Sequence, residues 1–340
     1  MAITRADVAR AAGVSPALVS YVLNGGPRPV SAEARERVLA AVAELNYRPN
    51  RIARALRENR THSIAMLMPD HRNPHFGELA QAVEDEAFRN DYMLIIGTAD
   101  NQTERESAYL RAFVDRQVDG LLLISAASHP DVSMLDEVRL PVVLLDRAPQ
   151  GTGFSSVVID NRTAAAEAVD HLLSHDRRNP VCLAGPAEID AVQERVAGWQ
   201  DALDRAGMTA AAPVHTSFSS EGGYRAMREL ITAGRAFDAV FATSDAQAIG
   251  AIAACAEAGL RVPDDLAVVA FDGTEAGRYG QPPLTSVDQD VAALARTALE
   301  TLVGLSRREH TEAVHRVLRP RLRIGRSCGC TPEESVGGGD

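Results

Sequence analysis

The 340-residue sequence contains no lysine; all 35 of its Lys and Arg positions are arginine. Arginine serves phosphate at least as well as lysine does, so the bias reads as coding preference and leaves anion binding open. It does exclude a lysine-bearing phosphate loop: the glycine-rich GTGFSS at 151–156 has no such residue and does not lead directly into a helix, so it reads as an ordinary loop. Aromatic residues are scarce, at 4%, yet 46% of the chain is hydrophobic, enough for two or three globular units. No stretch approaches the roughly eighteen consecutive apolar residues of a membrane helix, and the N-terminus lacks a basic-then-apolar secretory pattern. A cytoplasmic protein without membrane attachment is expected.

Cysteine is also sparse. Four residues are too few and too scattered for a disulfide framework, and Cys182 and Cys255 lie in apolar runs that suit reduced core positions. Cys328 and Cys330 form a C-x-C with no evident second Cys/His pair to complete a tetrahedral site, and they are read as part of a flexible tail over 328–340. His171 and His175 share an i, i+4 spacing without a supporting carboxylate pattern. Neither a metal nor a cofactor is expected.

The net charge of -11 would argue against nucleic acid if it were spread evenly. It is not. Residues 1–62 hold ten arginines against five acidic residues, a net of +5, and the remainder carries -16. A small basic module on an acidic body suits phosphate contact by that module alone.

Within the basic module, Thr4-x-x-Asp7 ahead of Val8, Ala9 and Ala12 has the form of a capped helix start, and Gly13 closes the segment. Ser15 and Pro16 then open a second helix, with Val19, Val22 and Leu23 on one face. Ser31 caps a third, in which Ala34, Val38, Val42 and Leu45 repeat at helical spacing. Helix, tight turn and helix within about twenty residues is the helix-turn-helix pattern, although any compact three-helix bundle shares this periodicity.

The sequences TRADVARAAGVSPALVSYVLNG and VSAEARERVLAAVAELNYRPNRIARALR resemble the DNA-binding head and hinge of the LacI/GalR repressor family. VDGLLL, GLRVPDDLAVVAFD and DGTEAGRYGQPPLTSV resemble the receptor strands and loops of the same family, so the likeness runs through nearly the whole chain. It implies that the helix from Pro16 to Asn24 enters the major groove, with base contacts from Pro16, Ala17 and Tyr21 and phosphate contacts from Thr4, Ser15, Ser20, Asn24 and Tyr47. Pro16 and Ala17 depart from better-known members and cannot donate to base edges, which makes direct readout sparse. Beyond the head, Asn50, Arg51 and Arg54 flank Leu56, the position at which family members wedge a leucine into the minor groove when the hinge folds on the operator. So short a helix is marginal alone. The resemblance further implies a homodimer on a pseudo-palindromic operator, controlled by a small-molecule effector.

From Ser63 onward, continuous apolar runs (IAMLM, MLIIG, GLLLI, PVVLLD) alternate with helical stretches, and the pattern restarts after about residue 160 with PVCLAG, AVFAT and LAVVAF. The expected fold is therefore mixed α/β: an all-α helix-turn-helix head plus a two-lobed, periplasmic-binding-protein-like receptor with parallel sheets. The boundaries are a head over 1–48, a hinge over 49–60 and a receptor over 61–327. Lobe 1 takes about 61–160 and 291–318, lobe 2 about 161–290 and 319–327.

Ligands in such sheets bind beyond the carboxyl ends of the strands. The residues there are Asp70, Asn73, His75, Phe76, Asp146, Arg147, Arg195, Phe218, Ser244, Asp245, Asp272 and Gln289, a set suited to a hydroxyl-rich ring. The resemblance assigns ligand contact first to Arg195, Asp272, Phe218 and Asp146. Ser244 and Asp245 serve equally well as a helix cap, and Asp160 reads as structural. Ile189 and Ala191 stand where the purine-responsive branch carries Arg and Thr, which favours a sugar or sugar derivative over a nucleobase. The alternatives are the same class of regulator with a nucleobase or other effector, and a constitutive DNA-binding protein without effector control. A doubly wound cofactor enzyme is disfavoured, because MPDHRNPHF follows the first strand where G-x-G-x-x-G would stand, and a solute receptor would have no such head.

Overall fold

A computed structural model describes residues 3–24, 30–48, 60–126, 133–148, 153–209, 211–307, 309 and 312–331. The chain divides into two compact units, Met1–Thr61 and His62–Asp340.

In the first unit, α1 (Arg5–Ala12), α2 (Pro16–Asn24) and α3 (Ala32–Glu44) enclose one core of Val8, Ala9, Ala12, Val19, Val22, Val38 and Ala41. Local chemistry fixes their ends. Thr4 and Asp7 form a reciprocal capping box at the start of α1, and Gly13 ends it at φ +62°, a left-handed conformation that glycine adopts without a Cβ penalty. The hydroxyls of Ser15 and Ser31 accept from the amides of Leu18 (3.2 Å) and Ala34 (3.3 Å), capping α2 and α3.

The second unit runs β1 (Ser63–Met68), α4 (Pro74–Arg89), β2 (Met93–Thr98), α5 (Thr103–Asp115), β3 (Leu121–Leu123), α6 (Ser133–Val138), β4 (Val142–Leu145) and β5 (Ser155–Ile159). It continues through α7 (Asn161–Leu173), β6 (Pro180–Ala184), α8 (Asp190–Arg205), β7 (Val214–His215), α9 (Ser220–Thr232) and β8 (Ala239–Ala242). The last elements are α10 (Asp245–Glu257), β9 (Ala267–Asp272), α11 (Glu275–Arg278), β10 (Thr285–Asp288), α12 (Val291–Ser306), β11 (His315–Leu318) and β12 (Arg321–Arg323). Two six-stranded sheets result, in the orders β11-β5-β4-β3-β1-β2 and β12-β10-β9-β8-β6-β7. Every described pairing is parallel except β10 with β12. The central strands are apolar on both faces because helices cover both: Leu121, Leu122 and Leu123 are all fully buried, each contributing about 1.5–3 kcal/mol relative to exposure. The chain leaves the first sheet after β5, builds the second, returns through α12 and β11, and finishes on β12. Both lobes therefore belong to one compact unit joined by three crossings of the chain. Among the described residues no helix is long and apolar enough to cross a membrane.

The C-terminal reading requires correction. Residues 328–331 are not a flexible tail: the backbone amide of Val268 donates to the Ser327 carbonyl (2.7 Å), the Ser327 hydroxyl donates to the Val268 carbonyl (2.7 Å), and Cys328 is fully buried in the main core. The thiols also lie beside His171 and His175, so the C-x-C does have a second ligand pair. Sequence separation of about 155 positions hid a contact that the sheet topology creates.

Candidate functional site

Between the two sheets of the second unit lies a narrow, partly open cavity. The first lobe lines it with Asn73, His75, Phe76, Asp146 and Arg147, the second with Ile189, Ala191, Arg195, Phe218 and Asp272. These residues arrive from strand ends and helix starts. Asn73 caps α4 and so aims His75 and Phe76 inward. Asp146 follows β4 at φ +65°, and Asp272 ends β9 at φ +113°. Non-glycine residues seldom occupy this half of backbone space, and here two acids hold it at one cleft. The Phe218 ring lies directly over Gly185, where a Cβ would come within 2.3 Å of it. Only glycine at the end of β6 leaves room for the ring.

Arg195 is the hub. Its Nε donates to the Asn161 side-chain oxygen (2.8 Å), one Nη donates to the Thr243 carbonyl (2.7 Å) and contacts Asp272 (3.4 Å), and the guanidinium stacks 3.8 Å from the centre of the Phe271 ring. Across the cleft His75 Nε2 donates to Asp146 (3.1 Å), and Arg147 lies beside the same carboxylate and over Phe76. Burial works against charge on Asp146, but the His75 hydrogen bond and the neighbouring guanidinia hold it below the usual carboxylate range. Burial likewise opposes the imidazolium of His75, yet the bond to Asp146 and the field of Asp272 raise its pKa overall. Asp272 is pushed up, first by burial and then by Asp146, with His75 and Arg195 offsetting only part of the rise. Gln289 donates to Asp272 from behind (2.8 Å). Among the described residues Asp272 Oδ2, Gln289 Oε1 and His75 Nδ1 are buried with no hydrogen-bond partner. Such atoms are costly unless a ligand or water satisfies them; Gln289 Oε1 can only accept, as does Asp272 Oδ2 when ionised.

In the first unit Ser15, Pro16 and Ala17 form an exposed N-terminal end of α2, with Thr4 exposed at the start of α1. Ser20 and Tyr21 are half-buried on the next turn, and Tyr47 is half-buried against the three-helix core. Asn24 ends α2, its side chain lying outside the described residues, as do Asn50, Arg51, Arg54 and Leu56. A helix N-terminus with exposed hydroxyls and no acidic residue in its first turn is suited to a phosphate backbone.

Residues 4–50 match the family described as bacterial regulatory proteins, lacI family, and residues 169–328 match a periplasmic binding protein-like domain. The HTH-type transcriptional repressor PurR of Erwinia tasmaniensis is 37% identical over 316 residues, covering 91% of this chain and 92% of its own length. The chain belongs to the lacI family of bacterial regulatory proteins. PurR of Salmonella paratyphi B is 36% identical over 333 residues, covering 96% of this chain and 97% of its own length. Among solved structures, the lac repressor dimer bound to operator and the anti-inducer ONPF superposes with a TM-score of 0.86 at 27% identity, covering 96% of this chain and 99% of that one. The transcriptional regulator CelR in complex with cellobiose gives 0.71 at 32% identity, again over 96% and 99%. The protein is a LacI-family transcriptional repressor with a helix-turn-helix head and an effector-binding domain. Its relatives are regulators, not enzymes.

Of the twelve strand-end residues, eight line this repressor's cavity as read: Asn73, His75, Phe76, Asp146, Arg147, Arg195, Phe218 and Asp272. Four do not. Asp70 turns away to Arg72 and through it to Asp100. Ser244 caps α10, accepting from Gln247. Asp245 is fully engaged inside lobe 2, its Oδ2 accepting from the Thr274 amide and hydroxyl (2.7 Å each) and its Oδ1 from Ser286 (2.6 Å). Gln289 supports Asp272 without lining the cavity. Asn161, which orients Arg195, went unread because its bond spans 34 positions.

Burial, with Asp272 second, pushes the Asp245 carboxyl up to about 7. A raised folded pKa means that the native state holds this proton more tightly than the unfolded chain does, so the stability it confers is complete below about pH 4 and is lost as pH rises through about 7. Asp245→Asn keeps an acceptor for Thr274 without the titration. Melting temperatures followed from about pH 4 to about pH 8 should fall less steeply in the variant than in the wild type. Parallel slopes would assign the buried proton elsewhere.

Proposed function

We propose that this repressor acts as a cytoplasmic homodimer that grips a pseudo-palindromic operator and responds to a sugar or sugar derivative bound between its lobes. The reading rests on one observation above the rest: a cleft that sets the unsatisfied acceptor of Asp272 beside the Arg195 guanidinium and the Phe218 ring. Hydroxyl groups would donate to Asp272 and accept from Arg195 while an apolar ring face lies on Phe218. Ile189 and Ala191 line the same cavity with aliphatic surface, which offers no hydrogen bond to a ring nitrogen. In the first unit, Pro16, Ala17 and Tyr21 face the base edges, while Thr4, Ser15, Ser20, Asn24 and Tyr47 hold phosphate. Ala17 supplies an apolar contact of the kind a thymine methyl accepts.

Homodimer formation is supported by the dimeric lac repressor relative and by apolar surface on lobe 1: Phe88 is 82% exposed, Met93 57% and Ile96 43%. Ligand closing the lobes would change the spacing of two hinge segments over 49–60, whose Asn50, Arg51, Arg54 and Leu56 fold against the minor groove only when correctly spaced. The direction of the response follows from which lobe angle the ligand prefers.

The test uses full-length protein and an operator selected from random duplexes. Monosaccharides, disaccharides, sugar phosphates and nucleobases are screened by thermal shift, and each hit is then titrated against operator binding. A saturating sugar should raise the melting point by a few degrees, since ligand at a hundredfold over Kd stabilises by about 2.7 kcal/mol, and should change operator affinity. A response confined to nucleobases, or binding with no effect on the operator, would overturn the effector assignment. In the same titrations Leu56→Ala should lose specific binding and keep only a salt-sensitive non-specific component.

A further inference from the structure

We infer that His171, His175, Cys328 and Cys330 form a tetrahedral site for a zinc-class divalent cation, holding the chain's C-terminal segment to α7. The ligand-bearing atoms of all four lie within 4.8 Å of one another. His171 Nε2 is 3.3 Å from Cys328 Sγ and 3.5 Å from Cys330 Sγ, and His175 Nε2 is 3.4 Å from Cys330 Sγ. A zinc tetrahedron with Zn–S of about 2.3 Å and Zn–N of about 2.0–2.1 Å has S···N edges of about 3.5 Å. Three of the four S···N spacings are already close to those edges, and the remaining ligand atoms lie within 4.8 Å.

The backbone is arranged to produce them. His171 lies in the last turn of α7 and His175 one turn further on, so both rings project from one side, with centroids 4.9 Å apart. Cys328 and Cys330 flank Gly329, whose φ of +109° is a conformation that L residues rarely adopt and that brings both sulfurs round to the helix. Thr285 on β10 donates its hydroxyl to Cys328 Sγ (3.0 Å) while accepting from the Gly325 amide (2.9 Å), so its proton is directed at the sulfur. A hydroxyl donor aimed at sulfur is the outer partner that metal-bound cysteines commonly have. Cys328 is fully buried and the other three are half-buried, which leaves a path for the ion. With four protein ligands the site is closed and structural. On binding, two thiol protons leave to solvent and two thiolates with two neutral imidazoles neutralise the dication.

The pairing joins distant parts of the sequence. Residues 326–330 follow β12, the last strand, and α7 is the first helix after the chain enters lobe 2. A metal there ties the segment after the last strand to the first helix of the lobe.

Full-length protein stripped with chelator under reductant and titrated with Co²⁺ alone tests this. The expected result is one ion per chain, with the intense visible bands of tetrahedral cobalt and the near-ultraviolet charge transfer of thiolate ligation, both erased by Zn²⁺. Cys330→Ser and His175→Ala, at half-buried positions, should fold by circular dichroism yet weaken binding more than about a hundredfold, beyond the 10–100-fold typical of outer partners. If either variant fails to fold, alkylation of the wild type read by mass spectrometry decides: Zn²⁺ should protect Cys330 from iodoacetamide. Octahedral cobalt spectra, no stoichiometric uptake, affinity unchanged in folded Cys330→Ser, or alkylation indifferent to Zn²⁺ would each overturn the site.

Discussion

Arg195→Ala should abolish effector binding and destabilise the receptor by roughly 3–5 kcal/mol, the range seen when one partner of a buried ion pair is removed. Arg195 is only 4% exposed, and its loss strands three groups at once: the Asn161 side-chain oxygen, the Thr243 carbonyl and the Asp272 carboxylate. Asp272 suffers most, because Asp146 already raises the cost of its charge and Arg195 is among the groups offsetting it. Arg195→Lys restores a positive charge without the planar fork, and one ammonium cannot reproduce the bonds to Asn161 and Thr243 in their present directions. It should recover part of the stability and little of the effector response. The double variant Arg195→Ala with Asp272→Asn separates the two roles. Removing the stranded charge should return stability towards wild type in urea titrations while the effector response stays absent. Operator binding by the head should persist throughout. An Arg195→Ala protein that still answers the ligand would place the effector in another cavity.

What the sequence disclosed depended on how far apart the interacting groups lie along it. The Thr4–Asp7 box, the Ser15 and Ser31 caps and the left-handed Gly13 involve partners within three or four positions, and each is present as read. Continuous apolar runs such as SIAMLM and VVLL marked buried parallel strands for a similar reason, since burial on both faces needs no tertiary knowledge to be seen in composition. The cleft was legible to the extent that ligand-facing groups cluster at strand ends. That rule does not separate Asp272 from Asp245. Both stand at the carboxyl end of a strand in lobe 2, but one faces the cavity with an unpartnered oxygen while the other is enclosed by Thr274 and Ser286. Only side-chain direction distinguishes them. The His171–Cys330 contact, 159 positions apart, could not be read from either pair's local spacing.

Gly198→Ala is expected to lower both stability and effector affinity without removing any group that touches ligand. Gly198 sits where α8 crosses α7, and a Cβ there would lie 2.2 Å from the Arg162 carbonyl, 2.9 Å from Ala165 Cβ and 3.0 Å from the Ala166 amide nitrogen. Two of those atoms are backbone, so relief must come from separating the helices. Alanine would gain about 1 kcal/mol over glycine in helix propensity. Overpacking of this kind costs typically 1–3 kcal/mol and sometimes more, so the net effect is destabilising. Arg195 lies one turn earlier on α8 and is tied to Asn161 at the start of α7 by the 2.8 Å bond. Parting the helices lengthens that bond and swings the guanidinium off its line to the cleft, which should weaken effector binding by about tenfold, or 1.4 kcal/mol. Gly77→Ala on α4 serves as the control. Nothing lies within 4 Å of its added Cβ, so that variant should be neutral to stabilised by up to about 1 kcal/mol with effector affinity unchanged. Calorimetric titration of both alanine variants with the same effector reads the difference; equal affinities would mean that Arg195 is not positioned through α7.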